Sequence, residues 1–330
     1  MNVRRSFLWA CSAALTVFLI VLLIKISKLD VRVTVQQLKS VSWVSFSKLV
    51  LLTGLHVYLS SLKWRRVDAN LRRSSDSAPS GTMSFALTST GVALGQILPV
   101  QLSMSIARTL GTYFHGRAVK RGTVGTLFEQ AFDVLIVGFL VIASGITRFY
   151  RGGGLIWTLS ALAVTGFAML AIGPLIQLIR RQVFAPTNRF FSGIGKLQQS
   201  GLMNPALARQ LMGLSAARFA IQVLMAGQTA EAIGVHIPLW HLAAAMPFVI
   251  IACVIVVTPG GLGVNELSYA TALHLFGTPL NAGAQWALAN RVLVASSCLV
   301  VAACAISLLG LARIMAPEGQ PKLLAEDLPR

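Results

Sequence analysis

The stretch "VTPGGLGVNE", Val257–Glu266, decides how the rest of the chain is read. It stands between "MPFVIIACVIV" and "LSYATALHLFG", where a continuous apolar run would otherwise extend. A broken backbone in lipid leaves N–H and C=O groups unpaired at several kcal/mol each, so it survives only when protein or a water-filled cavity encloses it. The stretch therefore predicts a broken, re-entrant element inside a membrane protein. The amides that open the following helix carry partial positive charge and suit an anion. Gly260, Gly261 and Gly263 would let a headgroup approach the main chain. A tight glycine turn between two spanning helices is the plainer alternative. Glu266 argues against it, because a bare turn needs no acid at that depth.

Composition agrees with the membrane reading. Of 330 residues, 55% are hydrophobic and 12% charged, against about 25% charged in a soluble domain. Six uninterrupted segments, roughly 7–24, 43–62, 127–146, 154–179, 211–234 and 286–312, are predicted to span, each near the roughly 20 residues that cross about 30 Å of hydrocarbon. A cleaved signal at the start is disfavoured, since no small-residue cleavage site follows the first run. Cys11, Cys253, Cys298 and Cys304 all fall in apolar segments without CxxC spacing, so they read as packing residues. One integral membrane domain over 1–330 is expected, with no soluble catalytic domain.

The net charge of +18 would suggest nucleic acid in a soluble protein. Here the positive-inside rule explains it. With the N terminus inside, the cytoplasmic segments 1–6, 63–82, 117–122, 180–209 and 313–330 hold 18 Lys and Arg, and the outer segments 7. That split predicts both termini inside. It closes only if two interrupted regions, roughly 83–116 and 238–276, each return to the side they left, the first from inside and the second from outside. The six tryptophans fall at predicted helix ends, as in an aromatic belt. "NRFFSGIGKL" (Asn188–Leu197) reads as a short helix on the inner leaflet or a basic loop.

The two breaks resemble each other: "PVQLSMS" (Pro99–Ser105) and "PGGLGVN" (Pro259–Asn265) repeat proline, leucine and small residues at the same offsets. Related breaks of opposite orientation point to an inverted-repeat transporter. Ionisable groups inside spans are functional candidates by default. Glu129 and Asp133, four apart, share a helix face. With Arg108, Glu266 and Arg291 they are read as substrate-binding, in one buried and roughly neutral network; Gly260, Gly261, Gly263 and Asn265 complete the set. Arg218 reads as a packing pair. The alternative is that all the charges only fix helix packing. No zincin, Walker or nucleophile-elbow motif appears, so neither a metal, a cofactor nor an enzyme is expected.

"GQILPVQLSMSIAR", "FEQAFD", "PGGLGVNE" and the late arginine of "ANRVL" together resemble the flippase-like transmembrane family, best known as the membrane half of lysylphosphatidylglycerol synthases; "LKWRR" (Leu62–Arg66) matches as well. The resemblance spans about 7–312. It departs where Ser103, Met104 and Ser105 replace an acid-bearing element, at Gln130, and at Asn265. It implies translocation of an anionic or sugar-bearing lipid between leaflets of the inner membrane, by a chain without the aminoacyl-transferase domain. The rivals are a membrane-embedded lipid or glycolipid transferase or hydrolase, with Glu129 and Asp133 as acid and base, and a non-catalytic scaffold for envelope lipid assembly.

Overall fold

A computed structural model describes residues 3–71, 79–98, 100–113, 119–150, 153–182, 204–255 and 258–314. The Asn188–Leu197 segment, Pro99 and the tail after 314 lie outside them. Among the described residues the chain is all-helical: α1 (Val3–Ser27), α2 (Val31–Lys39), α3 (Trp43–Leu71), α4 (Gly81–Leu94), α5 (Val100–Tyr113), α6 (Val119–Phe149), α7 (Gly154–Gln182), α8 (Pro205–Ala232), α9 (Leu239–Ile255), a 3-10 turn at Pro259–Gly261, α10 (Val264–Leu275) and α11 (Leu280–Ile314). It is a polytopic membrane protein. Five of the six expected spans fall inside one long helix each, and the fifth, 211–234, runs two residues past the end of α8. Four of these helices, α3, α6, α7 and α11, are long and apolar enough to cross a membrane over their described residues. α8 has the length, 28 residues, but carries Arg209, Arg218 and several amides among its apolar residues.

Local chemistry fixes the ends. Asn204 caps α8 by accepting from the Ala206 amide at 2.9 Å, ahead of Pro205 at the first helical position, where its missing N–H costs nothing. Ser80 caps α4 through the Met83 amide at 3.2 Å. Asp30 starts α2 through the Arg32 amide at 2.8 Å.

Both interrupted regions fold as helix, break, helix. Gly91 of α4 faces Met104 and Ala107 of α5, while Gly111 of α5 faces Leu87, so the two arms run antiparallel. In the second region Cys253 meets Asn265 next to the break, and His241 meets Thr278 at the far end, Nδ1 to Oγ1 2.8 Å. That hairpin therefore begins and ends at the same place. Its arms have 17 and 12 residues, and both arms of the first have 14. At 1.5 Å per residue the arms measure about 18–26 Å, short of the roughly 30 Å hydrocarbon core.

The core lies where α3 packs on α8, α6 and α11, and where α9 packs on α6 and α8. Lipid tails are as apolar as leucine, so association here rests on close packing by small residues and on polar contacts. Ala243, Ala244 and Ala245 of α9 are all buried. Outward faces carry Trp43, Leu51, Leu155 and Leu170, all strongly exposed. Two tryptophans leave the expected belt. Trp64 and Trp286 are fully buried, and the Trp286 indole donates to the Ala226 carbonyl at 3.0 Å.

Candidate functional site

The expected single network of acids and arginines is two separate centres. The first joins α3, α5, α6 and α8. His56, Ser60, Lys63 and Trp64 occupy one face of α3, spaced at helical period. Arg108 of α5 is wholly buried against this face. Its Nη1 donates to Glu129 Oε2 at 2.5 Å and its Nη2 to Glu129 Oε1 at 3.4 Å, a two-pronged pair. Nη2 also reaches the Ser60 carbonyl, the Ser60 hydroxyl and Thr88 Oγ1 at 3.3–3.4 Å, and the guanidinium lies 5.2 Å from the Trp64 ring centroid. Ser60 in turn donates to Glu129 Oε1 at 3.3 Å. Glu129 has both oxygens engaged, which leaves little scope for it as a general base.

One helical turn on, Asp133 accepts from two cations. Lys63 Nζ donates to its Oδ1 at 2.5 Å and to the Glu129 carbonyl at 3.3 Å. Arg218 Nη1 donates to its Oδ2, and Arg218 Nη2 lies 3.2 Å from His56 Nε2. Lys63 is wholly buried, whereas the Asp133 side chain is 28% exposed, so the cluster opens at Asp133. Arg218 is paired, as expected. Lys63 and His56 are additions; the sequence reading had assigned Lys63 to the cytoplasmic segment.

The second centre lies where the two breaks touch. Arg291 Nη2 of α11 donates to the Gln96 carbonyl and the Gly260 carbonyl, each at 2.7 Å. Gly260, in the left-handed region at φ 57°, presses its α-carbon against Gln96; a β-carbon there would stand 2.4 Å from the Gln96 oxygen. The close approach that glycine allows is thus filled by protein backbone. Glu266 Oε2 accepts from the Gly263 amide at 2.6 Å, so the amide end expected to suit an anion is partly neutralised by its own acid. Its other oxygen faces Arg291 Nε at 3.9 Å.

A cavity of ≈ 210 Å³ opens beside this contact, lined by Gln96, Gly260, Gly261, Asn265, Glu266 and Arg291 together with Thr258, Tyr269 and Asn290. Thr258 Oγ1 and Asn290 Oδ1 are buried there without hydrogen-bond partners among the described residues. Asn265 accepts from the Cys253 thiol at 2.9 Å. Gly263 is set apart from the expected group: it faces Thr16 and Leu19 of α1, where a β-carbon would lie 3.0 Å from the Thr16 carbonyl. Thr258, Tyr269, Gln96 and Asn290 were missed, because a single polar residue in an apolar run gives no periodic signal.

A family model described as "Lysylphosphatidylglycerol synthase TM region" matches residues 9–302. Comparison with curated proteins gives no match, and comparison with solved structures gives none.

Proposed function

Because the chain belongs to the family of the lysylphosphatidylglycerol synthase TM region, we propose that it moves a lipid with an anionic or sugar-bearing headgroup between the leaflets of the inner membrane. The observation that carries this reading is the polar cavity at the meeting of the two breaks. Thr258 and Asn290 hold unpaired oxygens inside it, and in a lipid setting such groups call for a polar occupant. Glu266 and Arg291 offer opposite charges across the same space. The volume of ≈ 210 Å³ lies below that of sites taking whole drug-sized ligands, so a headgroup enters while the tails stay in the bilayer. Arms too short to span support two re-entrant hairpins, entering from opposite faces as an inverted repeat, within one membrane domain whose termini are both cytoplasmic.

The test is a leaflet-resolved assay in vesicles, with a fluorescent phosphatidylglycerol as probe. Native protein is expected to move the probe chemically unaltered, well above the rate in protein-free vesicles. Thr258→Val removes a hydroxyl that has no partner among the described residues, so its melting temperature should hold while translocation falls several-fold. Native-rate transport by Thr258→Val removes the cavity as headgroup site. Recovery of a chemically changed lipid replaces translocation by a transferase or hydrolase activity.

A further inference from the structure

The cations expected outside are not spread over the outer segments. Five of those seven, Lys25, Lys28, Arg32, Lys39 and Lys48, stand in one stretch from the end of α1, through α2, into the start of α3, against a single acid, Asp30. All five are exposed, and none forms an ion pair among the described residues. The Asp30 carboxylate is already engaged, accepting from the Arg32 amide as the cap of α2 at 2.8 Å. Outer segments are ordinarily poor in Lys and Arg, so this concentration needs a cause of its own.

The turn into α2 shows the same preference at the level of the backbone. Leu29 N–H donates to the Ile24 carbonyl at 3.1 Å and Lys28 N–H to the Lys25 carbonyl at 3.4 Å, the paired bonds of a Schellman helix end. That motif places a left-handed residue just past the cap, usually glycine. Here the residue is Lys28, at φ 51°, the one non-glycine residue with positive φ among the described residues. Backbone strain of this kind gathers where a side chain is used, and a cationic side chain stands where glycine would be unstrained.

α2 is fixed on one side only. Thr34 is buried, Leu38 packs against the main core, and Gln37 Oε1 accepts from Gln285 Nε2 of α11 at 2.5 Å. The free side carries Val31 and Val35, four apart, beside Arg32 and Lys39, seven apart, all exposed. At 3.6 residues per turn these four share an arc of about 100°. Cations and valines on one face, on a helix that joins the end of α1 to the start of α3, match the bilayer edge: headgroup phosphates meet the cations and acyl chains the valines. Trp43, four residues beyond Lys39 and strongly exposed, stands at the same level, as interfacial tryptophans do. A nucleic acid or an acidic protein would satisfy the cations and leave the valines and the indole wet.

We propose that α2 and the turn before it form a second lipid site, separate from the cavity, which holds an anionic phospholipid by its phosphate. Gln285, which ties α2 to α11, precedes the cavity residues Asn290 and Arg291 by five and six positions, about 8 Å along the helix. The held lipid therefore lies beside the end of the cavity nearer α2, where it can be exchanged with it. That exchange rests on the translocation reading; the site itself does not.

The test uses full-length protein in vesicles of phosphatidylcholine with a minor fraction of phosphatidylglycerol, the bromines carried by one lipid or the other. Trp43 emission is isolated as the difference between native protein and Trp43→Phe. Per brominated lipid, quenching by phosphatidylglycerol should exceed that by phosphatidylcholine several-fold, and high salt should shrink the excess. Lys28→Gly relieves the strained turn, so its melting temperature should hold or rise while the excess falls; a lysine kept for the turn alone would leave the excess intact. Lys28→Gly with Arg32→Gln and Lys39→Gln should abolish it, and if that triple variant does not fold, Lys28→Gly alone decides. Equal quenching by the two lipids in native protein, or a native excess in the variants, overturns the site. Loss of the excess on adding millimolar inorganic phosphate at constant ionic strength also overturns it, in favour of a site for free anions. A triple variant that loses the excess but translocates at the native rate overturns the exchange with the cavity and leaves the site standing. Absence of translocation by native protein overturns the translocation reading, and the quenching result still decides the site.

Discussion

Arg108 and Glu129 form the most deeply enclosed ion pair among the described residues, 0% and 1% exposed. Removing one partner strands the other in a medium that cannot hydrate it, a loss of about 3–5 kcal/mol, whereas removing both with apolar groups is far less costly. Arg108→Met and Glu129→Leu should therefore each lower the melting temperature in detergent, and the two together should recover much of the loss. Additive losses in the double variant would mean the pair contributes nothing as a pair. Gly260→Ala belongs to the same scale. Its β-carbon would meet both the Gln96 carbonyl and the Arg291 guanidinium, and the positive φ adds about 1–3 kcal/mol of strain. Loss of stability, read as a lower melting temperature, is expected even though alanine adds a single methyl group. Glu129, Asp133 and Arg108 were legible from the sequence, because a charge inside an apolar run stands out against its neighbours. Lys63 was not. Hydropathy ends the second span at 62, where charge begins, but the helix continues to Leu71 and carries Lys63 and Trp64 into the core. The spacing of His56, Ser60, Lys63 and Val67 on one face was the available signal.

At the scale of the element, the start of α10 is the informative case. Glycine supplies the positive φ at 260, 261 and 263, and Glu266 closes the first turn by accepting from Gly263. Glu266→Gln keeps an oxygen acceptor in place and removes only the charge facing Arg291. A carboxylate near a helix start contributes about 0.3–1 kcal/mol through the dipole, so the melting temperature should move little. If the acid serves the headgroup, translocation should fall several-fold; a fully active variant would return Glu266 to a capping role alone. Both breaks could be read in advance because proline and glycine punctuate an apolar run physically as well as visually. What fills the space around them could not. The contact of Gly263 with α1 joins positions 16 and 263, and no local pattern encodes a packing partner that distant.

For the whole molecule, orientation remains the charge argument, with Lys63 now removed from the cytoplasmic surface count and the balance still strongly inside. Ala69 and His236 are exposed at opposite expected faces. Ala69→Cys should react with an impermeant maleimide only when the cytoplasmic side is open, and His236→Cys only from outside. Gly277→Cys, at the other end of the second hairpin, should label from the same side as His236→Cys; labelling from opposite sides would end the re-entrant reading of that hairpin. The order of synthesis gives the contact between the breaks a further meaning. Gln96 and Arg291 are 195 positions apart. At about 5–20 residues per second the ribosome needs roughly 10–40 s to go from one to the other. Throughout that interval the first hairpin is complete, but the guanidinium that will bind its tip has not been made. α11 is the last described helix to emerge and also brings Ser297 to Thr53 and Gln285 to Gln37. The nascent protein must therefore hold the tip of its first hairpin in some other company, whether water, the insertion machinery or a neighbouring helix, until α11 arrives.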